Sequence, residues 1–278
     1  MRLSIVTDEV SDDLAHALSV CHDLGVRTVE LRKVGDKNLV FHDATSLAHI
    51  RSMLQDGGFQ VCSIASPFLK CPLWHGSGNE ETEEWQILQR SFEIAHFLQA
   101  PLVRTFSFLR VEQPETAQEK VLEVLIKATR LTAEAGLRLA LENEHACNIA
   151  TGDETGWVLN RLLSSTFGVI WDPGNEAILG SHPFPAGYQH VRGRVFHLHI
   201  KDANRNLVGV RHEERFVKLG TGSIDYVEQF RALAHDGYNG TVSLETHYSH
   251  PQGGREQASR ESFAALRSIL QDAGVILN

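Results

Sequence analysis

The sequence predicts an α/β protein built as a single (β/α)8 barrel, and three observations lead to this prediction. Eight short apolar segments occur along the 278-residue chain, and helix-like segments separate them. Most of the eight are rich in Val, Ile, Leu or Phe, the composition of parallel strands buried on both faces. Seven crossovers and a closing helix fit a closed barrel better than an open doubly wound sheet. Because no Pro/Ser-rich linker divides the chain, we expect one domain over residues 1–278.

The predicted strands are short, and a helix is expected after nearly every one. In chain order the strands are 3–7, 28–32, 60–65, 102–107, 138–142, 167–172, 195–200 and 241–245. Apolar residues at helical spacing predict helices over 12–24, 43–57, 82–98, 116–135, 151–163, 226–235 and 256–273. The connection after Asp172 is the exception, because GNEAILG and PAGYQHV predict one short or broken helix.

Composition is that of an ordinary globular protein, with 42% hydrophobic and 22% charged residues. The formal net charge of −9 disfavours a polyanionic partner such as nucleic acid. The amino terminus enters a strand-like run without a leader, and no apolar stretch approaches the ~20 residues of a membrane helix. The four cysteines show no CxxC spacing. We therefore expect a soluble, cytoplasmic protein with reduced thiols and no membrane partner.

Four polar residues in the second half of the chain share one setting. Glu142, Asp172, His199 and Glu245 each end a short apolar run, in RLALE, GVIWD, VFHLH and TVSLE. Since the carboxyl ends of barrel strands meet at one mouth, these side chains should converge. Three carboxylates and an imidazole suit one divalent ion, either Mn²⁺, Mg²⁺, Co²⁺ or Zn²⁺. The alternative for each carboxylate is an ion pair with Lys or Arg.

Strand alternation separates the two histidines of VFHLHIK. His197, His199 and Lys201 share one face of the strand, and that face should point into the barrel. His199 lies at the strand end and should reach the mouth, whereas His197 should lie deeper. Three carboxylates exceed the charge of one divalent ion, so a nearby cation is expected, for which Lys201 and Arg205 are candidates.

Five strings of the sequence together resemble a known family. They are LENEH, WDPGNEAILG, HLHIKDANR, LGTGSIDY and GYNGTVSLETH, and their order and spacing are similar to those of the xylose isomerase-like TIM barrel superfamily. That superfamily includes sugar isomerases, epimerases and inosose-type dehydratases. The resemblance implies a metal held by Glu142, Asp172, His199 and Glu245, with Glu142 and Glu245 also moving protons. It thus implies an isomerase or epimerase acting on a sugar, sugar acid or polyol-derived ketone through an enediolate.

The resemblance and the strand positions also indicate contacts to a small polyhydroxylated substrate. Arg205 matches an arginine that epimerase-like members keep near the substrate oxygens. Lys201 could contact substrate or pair with a ligand carboxylate, and Glu30 could face the pocket or pair with Arg32 or Arg104. Arg104 could bind a substrate carboxylate or phosphate, or neutralise Glu30. The candidate substrate-binding residues are Arg205, His197, Lys201, His145, Asn175, Arg104 and Glu30.

Departures from the family pattern narrow the assignment. Ketose 3-epimerase members resemble ExxNxxE after the first glutamate, and here His145 takes the asparagine position and Asn148 the acid position. Asn175 stands three residues after Asp172, where several of those relatives have a histidine. These differences argue against a ketose 3-epimerase and leave the predicted metal ligands unchanged.

Three other functions remain as alternatives. A lyase of the inosose or dehydroshikimate dehydratase type would start from the same enolate and expel a β-hydroxyl. An endonuclease IV-like DNA repair enzyme would need an Asp-x-His pair where this chain has Val210-Arg211-His212. A non-catalytic sugar sensor is expected to lose a glutamate, and both Glu142 and Glu245 are present. The sequence leaves a monomer and a homo-oligomer open.

Overall fold

Eight parallel strands form a closed barrel in the computed structural model of the chain. The model describes residues 1–74, 78–207 and 209–277, apart from the side chains of His212 and Glu213. The barrel strands are β1 (Arg2–Val6), β2 (Thr28–Leu31), β3 (Gln60–Ile64), β4 (Leu102–Thr105), β5 (Arg138–Glu142), β6 (Phe167–Trp171), β7 (Val195–Ile200) and β8 (Thr241–Leu244). Each strand pairs with the next in the chain, and β8 pairs with β1. The predicted (β/α)8 barrel is confirmed, with every strand within two residues of its predicted bounds.

Helices follow the strands as expected. They are α1 (Leu14–Asp23), α2 (Ala44–Asp56), α3 (Asn79–Leu98), α4 (Gln118–Glu134), α5 (Gly152–Leu159), α6 (Pro173–Ala177), α7 (Tyr188–Val191), α8 (Tyr226–His235) and α9 (Gly254–Asp272). The segment Pro183–Gly187, in which Phe184 has an extended backbone, separates α6 from α7, so the broken helix predicted after Asp172 is present. Within the described ranges, no helix is long and apolar enough to cross a membrane.

Local sequence signals account for several helix starts. The Asp13 carboxylate accepts hydrogen bonds from the backbone N–H groups of residues 15 and 16 at the start of α1. Thr151 and Glu154 form a capping box at the start of α5, each side chain accepting from the other's backbone N–H. Asp172 is the N-cap residue of α6, and its carboxylate accepts a hydrogen bond from the Asn175 N–H. The helix therefore fixes one of the two carboxylate oxygens of this candidate metal ligand.

Alternation along the strands divides the barrel into two kinds of surface. On β5, Leu139 and Leu141 are buried in the core shared by the helices. Ala140, by contrast, packs against Leu102 and Ile170 inside the barrel, near its amino-terminal end. Since side chains alternate, the next inward residue on β5 is Glu142. The interior is thus apolar near one end and charged near the other.

Candidate metal centre

The four predicted ligands meet at the carboxyl end of the barrel. Glu142 ends β5, Asp172 follows β6, His199 lies in β7 and Glu245 follows β8. One donor atom from each lies within 4.8 Å of the donor atoms of the others. All four residues are at most 3% exposed. We call them the quartet, and the sequence-based expectation that they converge agrees with the structure.

His199 points one ring nitrogen at the quartet and the other below it. Its Nδ1 lies 3.0 Å from Glu142 Oε1 and 3.5 Å from Glu245 Oε2. Its Nε2 lies 3.1 Å from both oxygens of Glu30. Burial alone would lower the pKa of His199, but the carboxylates of Glu30, Glu142 and Glu245 raise it well above its usual value. Without a metal, this imidazole thus serves as a cation among carboxylates.

Glu30 lies inside the barrel between two histidines. Besides contacting His199, its Oε2 lies 2.8 Å from His197 Nε2, and all three side chains are at most 1% exposed. The expected alternatives for Glu30, a pocket-facing position or an ion pair with Arg32 or Arg104, are not what the structure has. Glu30 sits at the depth of the two imidazoles, whereas both arginines bind other carboxylates. His197 is the deeper histidine, as strand alternation predicted.

Buried cations hold the three carboxylates of the quartet. Lys201 Nζ lies 2.8 Å from Asp172 Oδ2 and 2.6 Å from Glu245 Oε2. Arg104 Nη1 lies 2.9 Å from Glu142 Oε2. Lys201 adopts the expected pair with ligand carboxylates, whereas Arg104 pairs with Glu142 and not with Glu30, the partner expected from the sequence. Burial lowers the pKa of Lys201, yet Asp172 and Glu245 outweigh burial and raise it, so the ammonium stays charged.

Arg32 connects the quartet to the end of β1. Its Nη1 lies 2.6 Å from Glu245 Oε1, its Nη2 2.5 Å from Glu9 Oε1, and its Nε donates to Asp8 Oδ2 at 2.9 Å. Sequence reasoning did not place these three residues at the site. The available signal was position, because Asp8 and Glu9 directly follow the first strand, as the quartet residues follow or end theirs.

Continuous ion pairs link these side chains into what we call the mouth network. It contains six carboxylates, three Lys or Arg side chains and three histidines, namely Asp8, Glu9, Glu30, Glu142, Asp172, Glu245, Arg32, Arg104, Lys201, His197, His199 and His247. Burial raises the pKa of each glutamate, but neighbouring cations and histidines reverse this for Glu9, Glu30, Glu142 and Glu245, whose pKa values are lowered. Asp172 differs, since burial and its neighbours Glu245 and Glu142 raise its pKa to about 6.

His145 and Asn175 lie beside the quartet. Asn175 Nδ2 donates to Glu142 Oε1 at 3.4 Å and to the Asn143 carbonyl at 3.0 Å. Its Oδ1 lies 3.1 Å from His145 Nδ1, and the same nitrogen lies 2.7 Å from Glu144 Oε1. Burial lowers the pKa of His145, but Glu144 and Asn175 outweigh it and raise the value. Both predicted residues are thus connected to a ligand through hydrogen bonds.

Asn148 occupies the position where ketose 3-epimerases are expected to have an acid, and it has a different task. Its Nδ2 donates to the carbonyls of Ser107 at 3.0 Å and Leu109 at 3.1 Å. Its Oδ1 accepts from the Val111 N–H at 3.0 Å. The side chain therefore ties together the loops that follow β4 and β5.

Arg205 is not brought into the mouth network. It is half-buried in the loop after β7, and its Nη1 lies 2.5 Å from His182 Nδ1. Just before it, Asp202–Ala203 pairs with Phe216–Val217 in a small antiparallel ribbon. Asp202 supports that ribbon by accepting from the N–H groups of Gly220 and Gly222, each at 2.9 Å.

Phe216, which the sequence did not single out, covers the mouth. Its ring centroid lies 5.1 Å from that of His247 and 6.4 Å from that of His145. Lys201 Nζ is 5.6 Å from the same ring centroid. Only 7% of Phe216 is exposed. An apolar surface therefore faces the charged side chains of the site.

The quartet suits a divalent metal ion in both distance and chemistry. Two ligand atoms each about 2.0–2.3 Å from one ion can be no more than about 4.6 Å apart, and the quartet's donor atoms already lie within 4.8 Å of one another. Its oxygen-rich donor set is the kind that Mg²⁺, Mn²⁺ or Zn²⁺ accepts. Lys201, whose ammonium lies between Asp172 and Glu245, marks a position where the fold already needs positive charge.

A closed parallel barrel with buried metal-type ligands at its carboxyl end defines a known class of (β/α)8 protein. A family model described as a xylose isomerase-like TIM barrel matches residues 18–269 of the chain. The chain belongs to this family, as the sequence motifs indicated.

Relatives and structural neighbours of the chain include several sugar-processing enzymes. An inosose isomerase of Bacillus velezensis is 25% identical over 158 residues, covering 56% of this chain and 55% of the relative. An inosose dehydratase of Clostridium botulinum is 24% identical over 132 residues, or 44% of each chain. The chain thus spans about half the length of these curated relatives.

Among solved structures, the IOLI protein with a bound zinc atom superposes with a TM-score of 0.81 at 19% identity, covering 98% of this chain and 99% of that one. An L-ribulose 3-epimerase has a TM-score of 0.73 at 19% identity, covering 98% and 95%. A probable 3-DHS dehydratase from Bacillus anthracis has a TM-score of 0.72 at 17% identity, covering 97% and 98%. At these identities the structural likeness shows the fold alone.

Proposed function

We propose that this chain is a metal-dependent enzyme that isomerises or epimerises a small polyhydroxylated ketone, with the quartet as its metal site. The observation that carries the proposal is the convergence of four buried donor residues within 4.8 Å. The inosose isomerase relative and the zinc-bound IOLI neighbour support it. His199 would bind the ion through Nδ1, because its Nε2 faces Glu30.

The two glutamates have the charge state that proton transfer requires. When bound, a divalent ion polarises a carbonyl and its neighbouring hydroxyl and so acidifies the carbon between them. Glu142 ends β5 and Glu245 follows β8, and the two strands β6 and β7 lie between them in the barrel. The lowered pKa of each keeps it ionised and able to accept a proton. Glu142 would take the proton from one face of that carbon. Glu245 would first take a proton from a substrate hydroxyl and would then deliver it to the other face.

Neighbouring cations orient both glutamates. Arg104 binds Glu142 through Oε2, which leaves Oε1 toward His199. Arg32 and Lys201 bind the two oxygens of Glu245. A carboxylate whose orientation is fixed by ion pairs loses little rotational freedom when substrate arrives, which favours a reactive geometry. Arg104 and Lys201 are therefore assigned to holding the carboxylates.

Elimination of water is the second candidate function, and His145 favours it. This histidine replaces the asparagine of the epimerase pattern, and Glu144 and Asn175 raise its pKa despite burial. A protonated imidazole can protonate a leaving hydroxyl, which a dehydratase needs and an epimerase does not. The inosose dehydratase relatives are consistent with this chemistry.

Metal titration followed by substrate turnover tests both candidates. Calorimetry on the metal-stripped chain is expected to give one Mn²⁺ or Zn²⁺ per chain, and none with His199→Ala. Products formed in D2O from an inosose and from free ketoses are then weighed. A product that keeps all the atoms of the substrate but has exchanged one carbon-bound hydrogen for deuterium indicates isomerisation or epimerisation. A product that has lost one water molecule indicates elimination. Wild-type affinity in His199→Ala would contradict the site itself.

A further inference from the structure

We infer that the substrate carries no charge: the mouth network accepts an uncharged polyhydroxylated ketone and rejects its phosphorylated or carboxylated analogues. The inference rests on the proposed function and narrows the class of substrate. It follows from how the network's charges are distributed and paired.

Carboxylates outnumber bases in the network. Its six carboxylates face only three Lys or Arg side chains, so these nine groups sum to a formal charge of −3. A divalent ion in the quartet, with His199 as a neutral ligand, would reduce this to −1. A substrate phosphate or carboxylate would then enter a buried region that is still negative, where repulsion is stronger than in water.

Each basic side chain of the network already has its partners. Arg104 donates to Glu142 and to the carbonyls of Ala65 and Ser66, at 2.9, 3.1 and 3.2 Å. Lys201 contacts two carboxylates of the quartet, and Arg32 contacts three carboxylates. Arg104 and Lys201 are 4% and 2% exposed, so they cannot turn outward to meet an anion. Recognition of a substrate phosphate normally uses a guanidinium or ammonium that the protein leaves available.

Three further bases lie near the loops of the mouth. Two of them, Lys70 and His145, are held by the carboxylate of Glu144, at 3.1 and 2.7 Å. Arg205 contacts a ring nitrogen of His182 and forms no ion pair in the described part of the chain. A single half-buried guanidinium can donate to hydroxyl groups as well as to an anion. Arg205 is therefore the residue through which the inference could fail, and the experiment includes it.

The groups that remain suit hydroxyls and C–H bonds. Carboxylates only accept hydrogen bonds, so a surplus of them favours a ligand rich in O–H donors. Phe216 adds an apolar ring beside His145 and His247. Such a ring can pack against the C–H face of a polyol, whereas a phosphate would lose hydration there without compensation.

The experiment compares ketones that differ in charge, using the metal-loaded full chain. The pairs are D-fructose with D-fructose 6-phosphate and L-ribulose with L-ribulose 5-phosphate, and 2-keto-myo-inositol and 3-dehydroshikimate are the cyclic probes. Binding and kcat/KM are measured for each. We expect each charged member to be at least about 100-fold poorer, the effect of one like charge at ~6 Å with an effective dielectric constant of ~20.

A charge variant separates electrostatic rejection from lack of space. Glu9→Gln removes one of the carboxylates that bind Arg32 and keeps the side-chain shape. We expect it to narrow the preference for the uncharged member by about tenfold. The control is Glu123→Gln, which alters an exposed carboxylate on α4. Among the described residues its ion pair is with Lys120, so the preference should stay unchanged.

The possible failures are distinguishable. If the quartet binds no metal, or if metal binds and no ketone of either kind does, the proposed function fails. If metal binds and a charged ketone is preferred, only the present inference fails, and Arg205→Gln should then abolish that preference. Equal discrimination in Glu9→Gln and wild type would show that shape, not charge, excludes the anions, and would overturn the inference as well.

Discussion

Two neighbouring regions of the protein bury glutamates and shift their pKa values in opposite directions. In the mouth network, Glu30, Glu142 and Glu245 are surrounded by cations and histidines that lower their pKa values. Glu176, on α6, is only 4% exposed, and burial raises its pKa to about 7. Burial alone therefore does not set the charge state of a carboxyl group, because compensating positive charge can reverse the effect of burial on its pKa.

Glu176 has no cation because backbone surrounds it. Its Oε2 accepts a 2.9 Å bond from the N–H of Gly152, at the start of α5. A Cβ added to Gly187 would lie 2.3 Å from the same oxygen, so only glycine fits there. In the described residues, no Lys or Arg forms an ion pair with Glu176. This pocket therefore favours a protonated carboxyl group, whereas the network favours ionised glutamates.

The largest expected difference between the two regions is in turnover. Glu142→Gln and Glu245→Gln should each lower kcat by about 10²–10⁴-fold, because an amide cannot accept a proton. Glu176→Gln is the matched buried control and should leave kcat unchanged. Rates measured at saturating metal test this comparison. Normal turnover in Glu245→Gln would exclude the proton-transfer role.

Removing Lys201 should leave buried carboxylates of the network without a paired cation, as Glu176 is in its pocket. Without metal, Lys201→Met leaves Asp172 and Glu245 buried without their cation, and we expect unfolding free energy to fall by about 3–5 kcal/mol. Bound metal should recover part of this loss. Urea unfolding with EDTA and with Mn²⁺ measures both values. Lys120→Met, which removes an exposed pair with Glu123, should cost no more than about 1 kcal/mol.

The contribution of Glu176 to the free energy of unfolding should change with pH in the direction opposite to that of the network's glutamates. Because its folded pKa is raised to about 7, its contribution is fully present below the unfolded pKa and is lost as pH rises through 7. Glu176→Gln should therefore match wild type at pH 4 and be more stable at pH 8, by up to about 3 kcal/mol. Urea midpoints across this range decide the matter, and a variant that is less stable at pH 8 would contradict the pKa direction.

The smallest expected effect concerns Glu30. Glu30→Gln keeps an acceptor for His199 Nε2 but removes the charge that makes the imidazole a better ligand, so metal affinity should fall by about 10–100-fold. Calorimetric titration measures this loss. Cys62→Ser alters a buried neighbour of the same layer and is the control for packing. Unchanged metal affinity in Glu30→Gln would show that the charge of Glu30 does not strengthen His199 as a ligand.

The sequence predicted the barrel and the quartet because both depend on local patterns. Apolar runs mark buried strands, and a polar residue at the end of such a run must lie at the mouth. The same alternation distinguished His199 from His197. The ion-pair partners of each side chain were harder to predict from the sequence. Glu30 and Arg32, for example, share a strand face yet lie at different depths in the barrel. Glu30 stays inside with the imidazoles, whereas Arg32 lies beyond the end of β2 and reaches Asp8 and Glu9.

Residues in the loops were the hardest to place. Phe216 reaches the mouth only because its strand pairs with Asp202–Ala203, and nothing in its immediate sequence specifies that pairing. Arg205 illustrates the reverse case, because its spacing from His199 predicted a place near the metal and the structure directs it to His182. Such outcomes depend on long-range contacts, which a pattern of neighbouring residues does not contain.

The hydrogen bonds of Asn148 also bear on how this chain can diverge in evolution. An ancestor or descendant that gained an acid here, toward the epimerase pattern, would lose the three bonds from Nδ2 to the carbonyls of Ser107, Phe108 and Leu109. A carboxylate has no N–H to replace them, so these carbonyls would lose that donor in a single mutational step. Conversion would first require remodelling of residues 107–111. The route between the two specificities is therefore indirect, and directed evolution should begin in that loop.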